Sequence, residues 1–480
     1  MSAQRPLHAK DQGWVQGVRE SFLSLNGSPR SLWLMFVLKC LESFAYFASC
    51  VVFTLFLSED FGLTDGQAGL FYGVKGGLTS LYGLGIGFLI DRLGPRKSLI
   101  IGSAFGAIGR LGIGLTRSKV LLWAFSFGFL PFGQAMSIPV MTLAIKGYTT
   151  PENRGFAFGL FYSIMNVGAL LSGFLVDGLT LSLDGAMFLG FSANRWVFIV
   201  GGICTVAVLL CAIFLLADAQ LEEGPVVVKT PVLQTAKELL TQKSFWRFLA
   251  FTMITINLKS VFRHLDATFP KYLVREFGDK VPKGSIYSIN PFIIIGLVPV
   301  ISALTQRYEH FDMIHFGSYI SAASVFLMAI STSIWASIAF VVVLSLGEAL
   351  WSPRFYDYTV SVAPRGKEGT FMALSSAPLF LSTLPVGALS GYLLEWYCPE
   401  KGPRDSKLMW GIIGMVTASS PLLITLFQGW VREPKHPGKG HDPTAEEDRS
   451  EREMDDVDVL VHADEGEDVR MLSAAAGHKQ

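Results

Sequence analysis

Long apolar runs separated by short polar breaks dominate the chain between residues 31 and 431. Roughly 20 apolar residues make a helix long enough to cross the hydrocarbon of a bilayer. Such runs lie at 31–58, 66–90, 98–116, 119–145, 155–178, 195–217, 245–270, 285–305, 311–332, 335–357, 369–396 and 408–431. The pattern therefore predicts an all-α membrane protein with about twelve transmembrane helices. The fourth run is interrupted by Pro131 and Pro139, and the tenth ends in the charged sequence WSPRFYDY.

The polar stretches set the expected domains. Residues 1–30 form an N-terminal tail, 31–217 and 245–431 two six-helix halves, 218–244 a linker, and 432–480 a disordered acidic tail containing AEEDRSEREMDD. The halves look duplicated. FTLFLSEDFG from Phe53 matches FPKYLVREFG from Phe269, Trp33 matches Trp246, and TTPENRGFAFGL from Thr149 resembles VAPRGKEGTFMAL from Val362. All three pairs are offset by about 213 to 216 residues, as one duplication predicts.

Composition agrees with the pattern: 51% of residues are hydrophobic and only 16% charged, against about 25% charged in soluble domains. Lys+Arg and Asp+Glu balance at 39 each, so no net field points to nucleic acid. Cys40, Cys50, Cys204 and Cys211 fall inside apolar runs, Cys398 stands in a polar loop, and neither a metal-ligand spacing nor a cofactor motif is present. GLGIGFLID follows an apolar helix rather than a strand, so its glycines read as helix packing, not a dinucleotide loop. An enzyme is not expected.

Lys and Arg favour the cytoplasmic side of short loops. Placing both termini inside puts Arg92, Arg96, Lys97, Lys146, Arg154, Arg307, Arg365 and Lys367 inside, while Lys271, Arg275, Lys280 and Lys283 dilute the bias outside.

Two sets of residues carry candidate chemistry. The first is the turn GFLIDRLGPRK, with Gly87, Asp91, Arg92, Gly94 and Arg96. Asp91 can accept charge-assisted hydrogen bonds, with Arg154 as its expected partner in a gating latch; the alternative is a topological anchor. The second is the set of ionisable residues inside spans, which are costly there and functional by default. Lys39, Glu42 and Tyr46 share one helix face, as do Lys259, Arg263 and Asp266, with His264 adjacent. Lys75, Arg110 and Glu348 complete the set. A Lys39–Glu42 pair and a snorkelling Arg110 are the structural alternatives.

The turn resembles the signature loop of the major facilitator superfamily. FYSIMNVGAL from Phe161, SINPFIIIGLVP from Ser288, GEALWSP from Gly347 and ESFAYF from Glu42 together resemble its proton-dependent oligopeptide transporter branch. The resemblance implies twelve helices in two pseudo-symmetric halves that rock around a midplane site. It also implies that Asn166, Asn290, Glu348 and Tyr46 line the substrate cavity; Lys39, where this chain departs from the branch, is a further substrate-binding candidate. Glu42, His264, Asp266 and Glu348 are the proton-coupling candidates. The branch's first-helix Glu-x-x-Glu-Arg is replaced by Lys39, Glu42 and Ser43, and its fourth-helix Lys before Pro by Ile138. Lys39, Lys75 or Lys259 is the substitute cation.

The expected function is secondary active transport of a small organic solute, amino-acid-like or peptide-like and proton-coupled, by a monomer in the plasma membrane or an organelle membrane. The alternatives are a facilitator or antiporter of a sugar, organic acid or drug, and a transport-inactive sensor.

Overall fold

The computed structural model describes residues 23–217, 241, 243–305, 308–362 and 382–432, and all that follows concerns these. The expected linker and acidic tail lie almost wholly outside them, as does VAPRGKEGTFMAL after its first residue. The described chain is helical: α1 (Arg30–Glu59), α2 (Asp65–Leu115), α3 (Lys119–Tyr148), α4 (Pro151–Leu183) and α5 (Ala193–Phe214) form the first half. The second half contains α6 (Lys243–Ile254), α7 (Ile256–Ala267), α8 (Phe269–Phe277), α9 (Lys283–Leu304), α10 (His310–Ile330), α11 (Ile334–Val362), α12 (Thr383–Tyr397) and α13 (Ser406–Val431).

Local chemistry sets the boundaries. Thr64 and Gln67 form a capping box at α2, Thr150 and Asn153 another at α4, and Ser192 and Asp405 cap α5 and α13. The α2 segment holds two predicted spans. Gly94 adopts φ 77°, ψ 167°, open to glycine and strained for other residues, and the chain reverses there. The reversal shows in the packing. Phe71 packs against Trp123 and Phe127 at the start of α3 and Tyr82 against Phe132, whereas Gly112 meets Phe125 and Gly102 meets Ser137. One limb of α2 thus runs parallel to α3 and the other antiparallel.

The prolines in the fourth run do not end it. Pro131 lacks an N–H and crowds the carbonyl of Phe127. The helix widens into a π-turn over Ala124–Phe129, and the Tyr82 hydroxyl donates to the Phe127 carbonyl at 3.2 Å. The tenth run also continues, through Pro353 to Val362. The seventh is the broken one. It divides at Thr255 and again at Thr268, just before Pro270, into α6, α7 and α8. Nine stretches among the described residues are long and apolar enough to cross a membrane unaided. The first limb of α2, the broken α6–α8 and the described part of α12 fill the other three predicted positions.

The duplication is visible in three dimensions. Gly62 and Gly278, equivalent in the repeat, end α1 and α8 with φ of 64° and 87°. Two residues earlier, Asp60 accepts from Ser192 and Arg195 at the start of α5, and Glu276 accepts from Ser406 at the start of α13. Each half is tied from its first helix to its last in the same way.

Arg30 and Asp60 mark opposite ends of the bundle, and the apolar core differs between them. At the Asp60 end one continuous cluster joins both halves, from Val52, Phe56 and Phe198 to Phe269, Phe340 and Trp410. At the Arg30 end the described core separates in two. One cluster holds only first-half residues, such as Met35, Leu99, Ile145 and Phe161, and the other only second-half residues, such as Phe251, Phe311 and Phe355. The halves join at one end.

Close backbone approach makes that junction. A Cβ on Gly284 of α9 would lie 2.2 Å from the Gly173 carbonyl oxygen of α4, and one on Gly387 of α12 would lie 2.5 Å from Gly69 of α2. Gly284→Ala is expected to destabilise the protein by about 1–3 kcal/mol through overpacking. Gly296→Ala, in the same helix with open space around it, is expected to be neutral or stabilising. Thermal unfolding of the two purified variants checks the contrast.

Candidate functional site

Two polar clasps reinforce the junction at the Asp60 end. Asp65, in the first turn of α2, accepts from Lys271 Nζ at 2.7 Å and from Arg275 at 2.8 Å, and Lys271 also donates to Ser58 at 2.5 Å. Asp177 of α4 accepts from the backbone N–H groups of Gly284 and Ser285 at 2.7 and 2.6 Å. This satisfies the free donors and the positive dipole end of α9 with a carboxylate. The Lys280–Asp184 pair, 78% and 57% exposed, adds little. Lys271, Arg275 and Lys280, which dilute the loop-charge count, are therefore engaged across the two halves.

Below the clasps lies a small cavity lined by Tyr46, Cys50, Tyr72, Lys75, Gly76, Thr79, Gln134, Ile138, Arg263 and Thr383. Its walls come from α1, the first limb of α2, α3, α7 and the start of α12. Beside it, Asp266 accepts from Arg263 at 3.1 Å, from the Tyr287 hydroxyl at 2.9 Å and from the Tyr72 hydroxyl at 3.2 Å. The Tyr72 bond crosses from one half to the other.

The remaining candidates divide by their partners. Asn290 donates to Glu348 at 2.7 Å and to Ser345 at 3.0 Å, so two substrate-binding candidates meet between α9 and α11. Asn166 donates to the Tyr162 carbonyl of its own helix, and His264 meets Thr268 in the next turn at 2.8 Å. Lys39 lies over the Phe161 ring at 4.8 Å, and Lys259 over Phe355 at 3.9 Å. Tyr46 lines the cavity, and so does Ile138, whereas Lys39, Asn166, Asn290 and Glu348 are not among its lining residues.

Glu42 is paired, but not with Lys39. Arg110 grips both its oxygens at 2.7 and 3.1 Å, while Thr205 accepts from the same guanidinium at 2.5 Å. Arg110 is 0% exposed, which corrects the snorkelling alternative: the charge sits inward, neutralised between α1, α2 and α5. In the signature turn, Arg96 donates to the carbonyls of Ala212 and Ile213 at the end of α5, a cation at a helix C-terminus. Arg154 donates to the Thr149 carbonyl at 3.4 Å. The Asp91–Arg154 latch lies outside the described side chains, as do Gly87 and Arg92.

Sequence reasoning missed both clasps. Asp177 carried a usable signal, a carboxylate inside an apolar run. Asp65 reads as an ordinary first-turn acid, and its cations stand more than 200 positions away.

The model of the Major Facilitator Superfamily matches residues 35–384. The chain belongs to this superfamily. It is a multi-pass integral membrane protein and a secondary transporter of small solutes. Its facilitator relatives include Multidrug resistance protein MdtH of Aeromonas salmonicida (strain A449), 22% identical over 395 residues, spanning 82% of this chain and 94% of that protein. MdtH of Salmonella arizonae is 23% identical over 380 residues, spanning 76% and 87%. Among solved structures, a POT family transporter in complex with thioalcohol conjugated peptide superposes with a TM-score of 0.68 at 17% identity, covering 84% of this chain and 97% of that one. Another, in complex with 5-aminolevulinic acid, gives 0.67 at 16% identity, covering 84% and 97%. These similarities establish the facilitator fold.

Glu42→Gln strands a buried guanidinium, and breaking such a pair costs about 3–5 kcal/mol. The variant is expected to unfold at a markedly lower temperature, and the double variant Glu42→Gln with Arg110→Met to recover part of the loss. Scanning fluorimetry of the three proteins decides this.

Proposed function

We propose that this transporter moves a small amino-acid-like or peptide-like solute by alternating access, with Asn290 and Glu348 as its second-half contact and protons as the coupling ion. The observation that carries the reading is the cavity between the halves, capped by two clasps at the Asp60 end. The peptide and 5-aminolevulinic acid complexes of the superposed POT structures support the solute class. Both termini are assigned to the cytoplasm, so that the Asp60 end faces outward. Its cations are held by Asp60, Asp65 and Asp184, whereas the inner cations belong to the basic loops. The structure then corresponds to an outward-closed state of a functional monomer.

Glu348 is the preferred proton carrier because an Asn290 amide holds it and, among the described residues, no cation pairs with it, so it can load a proton without breaking an ion pair. Glu42 is committed to Arg110 and Asp266 to Arg263, which makes both poorer carriers. A second reading, drug export, draws on the MdtH relatives. The two readings differ in the direction of coupling.

In proteoliposomes holding only this protein, an inward proton gradient is expected to drive accumulation of a transported dipeptide or amino acid. Glu348→Gln is expected to abolish accumulation while preserving counterflow exchange. Intact accumulation in that variant removes Glu348 as the carrier; accumulation driven only by an opposed gradient favours drug export.

A further inference from the structure

The cavity wall is electrically one-sided. Among its ten lining residues are two cations, Lys75 and Arg263, and no carboxylate. Arg263 already has Asp266. Lys75 has no such partner: among the described residues no carboxylate lies within ion-pair distance of it and no acceptor takes its ammonium. It is 6% exposed, and its Nζ rests over the rings of Phe53 at 4.7 Å and Tyr72 at 5.6 Å. Aromatic faces attract a cation, but they replace only part of the hydration that burial removes. An ammonium held this way, inside a water-accessible cavity, lacks a counter-ion.

We propose that Lys75 and Arg263 form an anion subsite, and that the transported solute carries a compact anionic group, such as a carboxylate, which completes the coordination of Lys75. The inference deepens the transport reading and rests on it. Three further features fit. The Nε of Arg263 is buried without a hydrogen-bond partner among the described residues, leaving a donor for an incoming oxygen. Tyr46 and Gln134 add a hydroxyl and an amide to the same wall, while the Thr79 hydroxyl donates to the Lys75 carbonyl at 2.9 Å. Lys75 belongs to the first half and Arg263 to the second, so an anion that touches both bridges the surfaces that must separate when the Asp60 end opens. Lys39 does not compete for this role, because it does not line the cavity.

The test uses the full-length chain in lipid nanodiscs and matched probes that differ only in charge: alanyl-alanine with its C-terminal amide, 5-aminolevulinic acid with its methyl ester, and benzoate with benzamide. Ligand-induced thermal shifts give apparent affinities. At least one acid is expected to bind about tenfold more tightly than its neutral partner. Lys75→Gln is expected to erase that preference, and Lys75→Arg to retain most of it. Equal binding of acid and neutral partner, an acid preference that survives in Lys75→Gln, or no binding by any acid overturns the proposal.

Cys50 lines the same cavity and supplies a readout on the unmodified chain. The acid, but not its neutral partner, is expected to slow alkylation of Cys50 by a neutral maleimide, read by peptide mass spectrometry. Equal protection by both also overturns the proposal, even if Lys75→Gln fails to fold. Flux in proteoliposomes separates the two levels of the argument. Flux without acid preference removes the subsite and leaves the transporter; acid-selective binding without flux removes the transport reading and leaves the subsite.

Discussion

The structure depends on how its halves are joined at one end. A lipid-embedded bundle gains little from apolar burial between helices, because lipid is as apolar as the side chains; close packing and interhelical hydrogen bonds must hold it together. At the Asp60 end both are present. Gly173 against Gly284 and Gly69 against Gly387 bring backbones into contact, Asp177 occupies the amide end of α9, and Asp65 gathers Lys271 and Arg275. At the Arg30 end the described apolar cores belong to one half each. A joint at one end with separate cores at the other is what a rocking mechanism requires.

The same economy governs the charges within the spans. Isolated ions are expensive there, and most of the charges within the described spans are paired or rest on aromatic rings. Glu42 and Arg110 neutralise each other inside the first half, which fixes α1, α2 and α5 as a rigid unit. Asp266 gathers Arg263 and two tyrosine hydroxyls, and Tyr72 carries that network across to the first half. Glu348 is held by a neutral amide, and Lys75 rests on aromatic rings. The paired groups are architecture, except that Arg263 keeps its Nε open beside its pair with Asp266. The groups without a counter-charge are the ones whose state a solute or a proton can change.

Much of this was legible in the sequence because hydrophobic length and duplication are local or periodic signals. The repeat around Phe53 and Phe269 and the turn at Gly94 appear as expected, and the helices are consistent with the twelve runs, although the seventh is broken into three and the helix of the eleventh is described only from Thr383. Asn290 and Glu348 were named together and do meet. The partners of Glu42 and Asp65 were not legible, since pairs 68 and 206 residues apart depend on which helices adjoin and how they rotate. The fourth run continues as one span in spite of its prolines for a local reason: the carbonyl freed by Pro131 finds the Tyr82 hydroxyl, and the π-turn absorbs the distortion.

The central claim is that the halves are fused at the Asp60 end and separable at the Arg30 end. Pulsed electron paramagnetic resonance tests it most directly, with one spin-label pair at Met187 and Lys401 and another at Lys97 and Tyr308, all exposed positions. In the solute-free protein the first pair is predicted to give one narrow distance distribution and the second a longer, broader one, with solute moving the two pairs in opposite directions. A broad Met187–Lys401 distribution beside a narrow Lys97–Tyr308 one, or parallel shifts at both ends, would contradict the account.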